Sequence, residues 1–185
     1  MQESDRPGAT EEALRKALEK EAKRLIEDCL YSGRGHQSAG QFWRAMNTWL
    51  GLPSAIASPL LATGAAGSAL AQFSPWITAG LAILSAIAGA AHSFFRPNEI
   101  AEAHGLKGNR FITLRNDARL FLEIELLSGA DLRELAARLQ NLRQRHADLN
   151  ETLPLNIPRF AYLRAKRSIE VGESSYQEDT PERSA

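Results

Sequence analysis

The sequence predicts an all-α protein in which a transmembrane helical hairpin of two spans is flanked by long amphipathic cytoplasmic helices that form a helical bundle. Three observations predict this class. The 185-residue chain carries 22 basic and 22 acidic side chains, yet none of them falls within residues 45–95. Outside that stretch, apolar residues recur three and four positions apart, which is typical of helices packed on one face. No segment shows the alternation of apolar and polar residues that indicates a strand.

Composition excludes several functional classes. A formal net charge of zero argues against a nucleic-acid partner bound by neutralising its phosphates. The single cysteine, Cys29, excludes an intrachain disulfide framework and a cysteine-based zinc cluster. The four histidines show no spacing that would place two metal ligands on one helical face, and no nucleophile elbow or phosphate-binding loop is present. We therefore expect no enzymatic activity, no cofactor and no metal.

The first charged region predicts helices. Residues 1–9 are expected to be disordered, and a single domain is expected over 10–173. Thr10 is a plausible helix cap with acidic residues after it, and apolar side chains then recur at helical spacing up to Cys29. Gly33 and Gly35 are expected to bend the chain within the helical region 10–48. Cys29 falls on the apolar face, so we interpret it as a core residue.

The uncharged region is long enough for two membrane spans. A helix needs about 20 apolar residues to cross a hydrocarbon core of about 30 Å, so 45–95 divides naturally into spans at 53–71 and 76–95. Arg44 and Arg96 flank the region and its turn is uncharged, which predicts that both termini are cytoplasmic. A buried, alanine-rich hairpin in a soluble protein is the alternative.

Polar and small side chains within the spans allow two interpretations. They pack the hairpin within one subunit, or they line a water-filled pore in an oligomer. An ionisable residue at membrane depth is a functional candidate by default, although His92 also lies about one turn from Arg96 and suits a hydrated interface. The candidates for pore lining or span packing are Ser54, Ser58, Ser68, Gln72, Thr78, Ser85 and His92. The small residues for helix packing are Gly64, Gly67 and Gly89.

The second charged region, 98–173, also predicts helices. A first helix over 98–127 is expected to have a weak point at Gly105 and Gly108, and residues 128–130 are expected to end it. The next helix carries apolar residues at strict three–four spacing, typical of a coiled-coil seam or a bundle face. This seam, a candidate for oligomerisation or bundle packing, comprises Leu132, Leu135, Leu139, Leu142, His146 and Leu149. A last helix is expected over about 159–172, followed by a disordered tail at 174–185.

A series of short motifs follows the predicted elements along about residues 14–177. An aromatic pair precedes the first span, and a second aromatic pair closes the second. A C-terminal signature of prolines and basic residues follows the leucine-spaced helix. The motifs are Leu30-Tyr31, Phe42-Trp43, Leu50 to Pro53, Phe94 to Pro97, Leu114-Arg115, Phe121, Leu153-Pro154, Ile157-Pro158, Tyr162 to Lys166, Ile169, Gly172 and Tyr176. Each motif is degenerate, but their order and spacing resemble the SLATT family of two-transmembrane effector domains from bacterial conflict systems.

The resemblance implies a pore-forming or membrane-perturbing effector of an anti-phage, abortive-infection defence system. Such a protein would be a homo-oligomer in the bacterial inner membrane, with the lipid bilayer as a partner. It would respond to a separate sensor, such as a nucleotide-signal synthase, a nucleotide-binding module or a reverse transcriptase. The alternatives are a membrane anchor or scaffold for a cytoplasmic partner without a pore, and a soluble protein whose buried hairpin inserts on activation.

Overall fold

The computed structural model describes residues 7–62, 75–152 and 155–171, and every regular element in these ranges is a helix. The α-helices are α1 (Pro7–Ala62), α2 (Pro75–Phe95), α3 (Pro97–Leu120), α4 (Leu132–Thr152) and α5 (Arg159–Glu170). A five-residue π-helix, Phe121–Glu125, follows α3 directly. The predicted all-α class is therefore confirmed for the described residues.

The chain divides into two compact units. The first unit comprises residues 1–39 and 104–185, and the second comprises Gly40–Ala103. Helices α1 and α3 each contribute residues to both units. The predicted span at 76–95 corresponds closely to α2. No helix begins at the predicted start of the other span, because α1 continues through Pro53 to Ala62.

The core of the first unit is a helical bundle, as the sequence predicted. The apolar face of α1 contributes Leu25 and Cys29, which pack with residues of α3 and α4 in a single buried cluster. Phe111 and Phe121 are the largest side chains that are fully buried there. Burying one large apolar side chain contributes about 1.5–3 kcal/mol to folding, so this cluster is the main source of stability in the unit.

The bend expected at Gly33 and Gly35 is wrong, because α1 is continuous through both residues. Each glycine instead makes room for an isoleucine. A Cβ atom on Gly33 would lie 2.9 Å from Ile112 Cδ1, and one on Gly35 would lie 2.8 Å from Ile157 Cδ1. These glycines are therefore sites of close packing, a use of glycine that leaves the helical hydrogen bonds intact.

The weak point expected at Gly105 and Gly108 is also wrong, because α3 continues from Pro97 to Leu120. Gly108 packs against α1: a Cβ atom there would lie 3.1 Å from the backbone oxygen of Gly33. Among the described residues, no atom outside the local helix backbone and the adjacent residues lies within 4 Å of the equivalent position on Gly105. The two glycines thus have different surroundings although they belong to one short sequence run.

The helical region that begins with α3 ends at Glu125, two residues before the predicted end at 127, and the predicted break at 128–130 lies in the non-helical segment that follows. Gly129 adopts a positive φ of 76°, a conformation that glycine accepts without a steric penalty. The Arg15 guanidinium of α1 donates hydrogen bonds to the backbone oxygens of Leu126 (3.0 Å) and Ala130 (3.2 Å). Carbonyl groups at a helix end lack intrahelical partners, and this arginine supplies partners for two carbonyls at the turn.

The leucine-spaced face of α4 packs within the chain. Leu135, Leu139 and Leu142 are buried in the core of the first unit, and Leu132 and Leu149 pack partly buried against the same cluster. His146 contacts the ring of Phe111 edge-on, with 5.6 Å between ring centroids. The geometry is that of a bundle face, and these side chains contribute to the fold of the single chain.

Candidate functional site

A stripe of large apolar side chains on α2 is exposed in the second unit. Trp76, Ile83, Ile87 and Phe94 follow one another at spacings of seven, four and seven, so they lie on one side of the helix. Each is between 61% and 87% exposed. We call these four residues the apolar stripe. Contiguous apolar surface of this kind marks a site of contact with lipid or protein.

Helix α1 adds further exposed apolar surface to the second unit. Trp49 and Leu52 are exposed, and Phe42 lies one heptad before Trp49. Aromatic side chains such as Trp49 and Trp76 are enriched where a membrane meets water, because their rings are amphipathic. The exposed apolar residues of this unit thus occur on both of its long helices.

His92 lies on a different side of α2 and contacts α1. Its Nε2 atom forms a hydrogen bond of 3.0 Å with Asn47 Oδ1. A Cβ atom on Gly51 would lie 3.8 Å from the same imidazole nitrogen, so a small residue of α1 faces this ring. Ala88, one turn before His92, is buried. His92 therefore belongs to the packing between two helices of the second unit.

The other residues singled out by sequence have varied positions. Ser85 and Gly89 are half-buried on α2. Helical backbone is described at Ser54, Ser58 and Thr78, whose side chains lie outside the described part of the structure. Gly64, Gly67, Ser68 and Gln72 fall in 63–74, which is outside the described residues altogether.

The length and apolarity of the helices bear on the predicted spans. Across residues 7–62, 75–152 and 155–171, no helix combines the length and the apolarity that crossing a membrane requires.

The junction between α2 and α3 is tight. Only Arg96 separates the helices, and it adopts a left-handed φ of 44°, which is uncommon for a residue with a side chain. Pro97 then begins α3, a position that suits proline because its fixed φ matches a helix start. The basic residue that closes the uncharged region is thus also the residue at which the chain changes helix.

A second candidate site lies in the first unit, where the fold brings three histidines together. The Nδ1 atoms of His36 and His104 lie 2.8 Å apart, and both side chains are buried. The ring of His36 stacks on Phe111 with 5.8 Å between centroids and 6° between planes. His146 packs edge-on against the ring of Phe111. We call His36, His104, Phe111 and His146 the imidazole cluster.

Burial disfavours the charged forms of the three histidines in the imidazole cluster. It lowers the pKa of His36 to about 4, and repulsion from His104 and Lys107 adds to the effect. The pKa values of His104 and His146 are also lowered, chiefly by burial. A hydrogen bond between two Nδ1 atoms needs one lone pair, so at least one ring of the His36–His104 pair must be neutral at that nitrogen.

Sequence reasoning missed this cluster because His36 and His104 are 68 residues apart. A signal was nevertheless present. His36 lies seven residues after Cys29, His104 lies seven before Phe111, and His146 lies seven after Leu139. Seven residues are close to two helical turns, so each histidine continues an apolar face that points into the bundle.

The described ranges contain no group of three or more His, Cys, Asp or Glu side chains that could hold a metal ion. Burial, with a smaller contribution from Asp28, raises the pKa of the Cys29 thiol to about 12. A thiol with so high a pKa is a poor nucleophile, because the thiolate is the reactive form.

Comparisons with models of known protein families, with curated proteins and with solved structures find no match.

Proposed function

We propose that this protein is a pore-forming or membrane-perturbing effector of a bacterial anti-phage defence system. It oligomerises in the inner membrane, with both termini cytoplasmic, when a separate sensor or a nucleotide signal triggers it. The observation that carries the proposal is the apolar stripe on α2, within a stretch of sequence that lacks any Asp, Glu, Lys or Arg. The resemblance to the SLATT family supports the same function.

The composition of α2 suggests how insertion takes place. Its 21 residues would extend about 31 Å, close to the thickness of a hydrocarbon core. Alanine, glycine and serine make up much of the helix, so its apolarity is modest. Small residues allow helices to approach closely in lipid, where packing and hydrogen bonds drive association. We therefore propose that α2 inserts as part of a packed assembly.

A pore needs several subunits, because two helices cannot enclose a column of water. In the proposed assembly the apolar stripe faces lipid, and the side of α2 that carries Ser85 and His92 faces other helices or the pore. The hydrogen bond between His92 and Asn47 supports this orientation, because it places a polar pair away from the stripe. Polar groups within a membrane require such partners.

Membrane potential tests the proposal directly. The full chain is overproduced in a bacterium, and the potential is followed with a voltage-sensitive dye. We expect depolarisation by the wild-type chain and its loss in a Ser85→Leu/His92→Leu variant that reaches the membrane at the same level. The matched control is Ile87→Leu, which keeps the apolar stripe apolar and should still depolarise. Full depolarisation by the double variant would contradict a pore lined by this side of α2.

One form of the membrane-anchor alternative conflicts with the packing of α4. A scaffold that binds its partner through the leucine-spaced face would need Leu135, Leu139 and Leu142 to be accessible, yet all three are buried in the core. A partner would have to bind another surface, such as the exposed apolar stripe of the second unit.

A further inference from the structure

A small polar pocket adjoins the imidazole cluster in the first unit. Its volume is about 210 Å³, and it lies between α1, α3, the end of α4 and the segment that precedes α5. The residues that line it include Ser32, His36, Lys107, Asn150, Asn156 and Ile157. All of these belong to the first unit, so the pocket is a property of that unit alone.

Lys107 is the unusual residue of this pocket. It is only 3% exposed, whereas lysine is among the residues that are least often buried. Its ammonium group lies 3.5 Å from the backbone oxygen of Asn150, near the C-terminal end of α4. Burial lowers the pKa of Lys107, because removing an ammonium ion from water disfavours its charged form.

Lys107 is the charged residue among the described residues that line the pocket. His36, on α1, lines it beside Lys107, and the described residues that line it include no carboxylate. Repulsion from Lys107 lowers the pKa values of both His36 and His104. A negative charge placed in the pocket would stabilise the buried ammonium ion of Lys107.

The pocket also offers the donors that an oxyanion requires. An ammonium group carries three donors, and serine hydroxyl, asparagine amide and imidazole N–H groups can each donate one more hydrogen bond. Hydrogen bonds from a charged donor to an anionic oxygen are the strongest of these. Pockets for drug-sized ligands measure about 300–1,000 Å³, so this smaller volume favours a small anionic group.

We propose that this pocket binds a small oxyanion of the phosphate class, held by the Lys107 ammonium group and by polar groups of Ser32, His36, Asn150 and Asn156. The phosphate belongs either to a soluble molecule or to a lipid headgroup. The proposal does not depend on the membrane function proposed above, because every residue that it uses lies in the first unit.

The test uses the full chain in nanodiscs of phosphatidylcholine near neutral pH, with inorganic phosphate as the probe. Thermal unfolding midpoints are recorded as phosphate replaces chloride at constant ionic strength. A ligand that binds only the folded state raises the midpoint by mass action, which yields an apparent Kd. We expect saturable stabilisation by phosphate, and binding weakened by about tenfold or more in Lys107→Met. Lys16→Met removes an exposed lysine of α1 and should bind like the wild type.

A second variant leaves the buried core untouched. Asn156 lines the pocket but is exposed, so Asn156→Asp adds a negative charge beside the site without burying it. We expect this variant to fold normally and to bind phosphate about tenfold or more weakly, because like charges repel. Asn141→Asp, at an exposed position of α4 that does not line the pocket, is its control.

The source of the phosphate is resolved by a second lipid composition. Nanodiscs that contain phosphatidic acid, without free phosphate, should stabilise the chain if the headgroup is the ligand, and Asn156→Asp should abolish that gain. A response to free phosphate in neutral nanodiscs indicates a soluble ligand. Either response supports the pocket. Stabilisation that is equal in wild type and Asn156→Asp, or the absence of stabilisation in both compositions, would overturn the proposal.

Discussion

The hydrogen bond between His36 and His104 links single residues to the stability of the fold. Both imidazoles are buried, and the pair holds together only while one Nδ1 atom keeps its lone pair. An ordinary histidine has a pKa of 6.5, and burial lowers that of His36 to about 4. In acid, the unfolded chain therefore binds protons that the folded chain does not bind.

The lowered histidine pKa values determine how the free energy of unfolding changes with pH. Between about pH 6.5 and pH 4, the unfolded state binds more protons at His36 than the folded state does, so the free energy of unfolding falls as the pH is lowered. The lowered pKa values of His104 and His146 act in the same direction. His36 contributes up to about 1.4 kcal/mol per pH unit. Urea unfolding at several pH values in this window measures the slope.

His36→Asn is the control for this prediction, because an asparagine side chain can place a polar atom near the position of Nδ1 while it cannot titrate. We expect a shallower slope in this variant than in the wild type. Equal slopes would show that the dependence arises from other groups.

At the scale of residues, the sequence predicts which side chains are buried better than it predicts which side chains on different helices contact each other. The position of Cys29 on the apolar face of α1 predicts a core residue, and the thiol is fully buried. The His36–His104 contact joins residues on different helices. Helical periodicity states which side of a helix is buried, but the register between two helices depends on packing that a single sequence does not reveal.

At the scale of helices, the effect of a glycine also depends on tertiary packing that helical periodicity does not reveal. Sequence rules treat Gly33, Gly35 and Gly108 as weak points, because glycine lowers helix propensity by about 1 kcal/mol relative to alanine. In the first unit the backbone at Gly108 packs against the backbone oxygen of Gly33. Tertiary packing thus decides the outcome at these positions, and the helices continue.

A pair of alanine substitutions on α3 tests whether Gly108 is a site of close packing. In Gly108→Ala the new Cβ atom would lie 3.1 Å from a backbone oxygen that cannot rotate away, so we expect a loss of about 1–3 kcal/mol in the free energy of unfolding. Gly105→Ala adds a methyl group in open space and should gain about 0.5–1 kcal/mol through helix propensity. Urea unfolding compares the two, and similar effects from both would refute close packing at Gly108.

The leucine-spaced helix illustrates what periodicity leaves open. The spacing from Leu132 to Leu149 predicts one apolar face, and a coiled coil between chains and a bundle within one chain require the same pattern. The structure places this face against α1 and α3 in the core of the first unit. The sequence alone does not distinguish a coiled coil between chains from a bundle within one chain. The spacing shows that this face is buried, but it does not show which helix covers it.

Leu142 provides the corresponding stability test. Its side chain is fully buried, so Leu142→Ala should lower the free energy of unfolding by about 2–5 kcal/mol, through lost burial and the cavity that remains. Leu127→Ala, at a residue that is exposed in the turn after the π-helix, should change it by less than about 0.5 kcal/mol. A small effect at Leu142, measured by chemical unfolding, would mean that α4 packs elsewhere.

At the scale of the whole molecule, the uncharged stretch of the sequence coincides with one of the two compact units. The uncharged stretch 45–95 falls within the second unit, Gly40–Ala103, and all charged side chains of the first unit lie outside it. The mean hydropathy of −0.29 hides this division, because it averages a charged part and an uncharged part. The exposure of the apolar stripe could not be predicted from composition, because an uncharged helix can equally be buried in a core.

The apolar stripe also determines how the membrane function is best tested. Replacing Ile83 and Ile87 by asparagine adds two polar groups at positions that we propose face lipid. Both residues are already exposed and contribute little to the packing of the second unit. Leu127→Asn makes the same kind of change at an exposed residue of the first unit and serves as the control.

The most direct measurement is the partition of the full chain between membrane and supernatant after an alkaline carbonate wash of bacterial membranes. We expect the wild-type chain and Leu127→Asn to remain in the pellet, and Ile83→Asn/Ile87→Asn to be largely released. Release of the wild-type chain into the supernatant would contradict an effector that resides in the membrane.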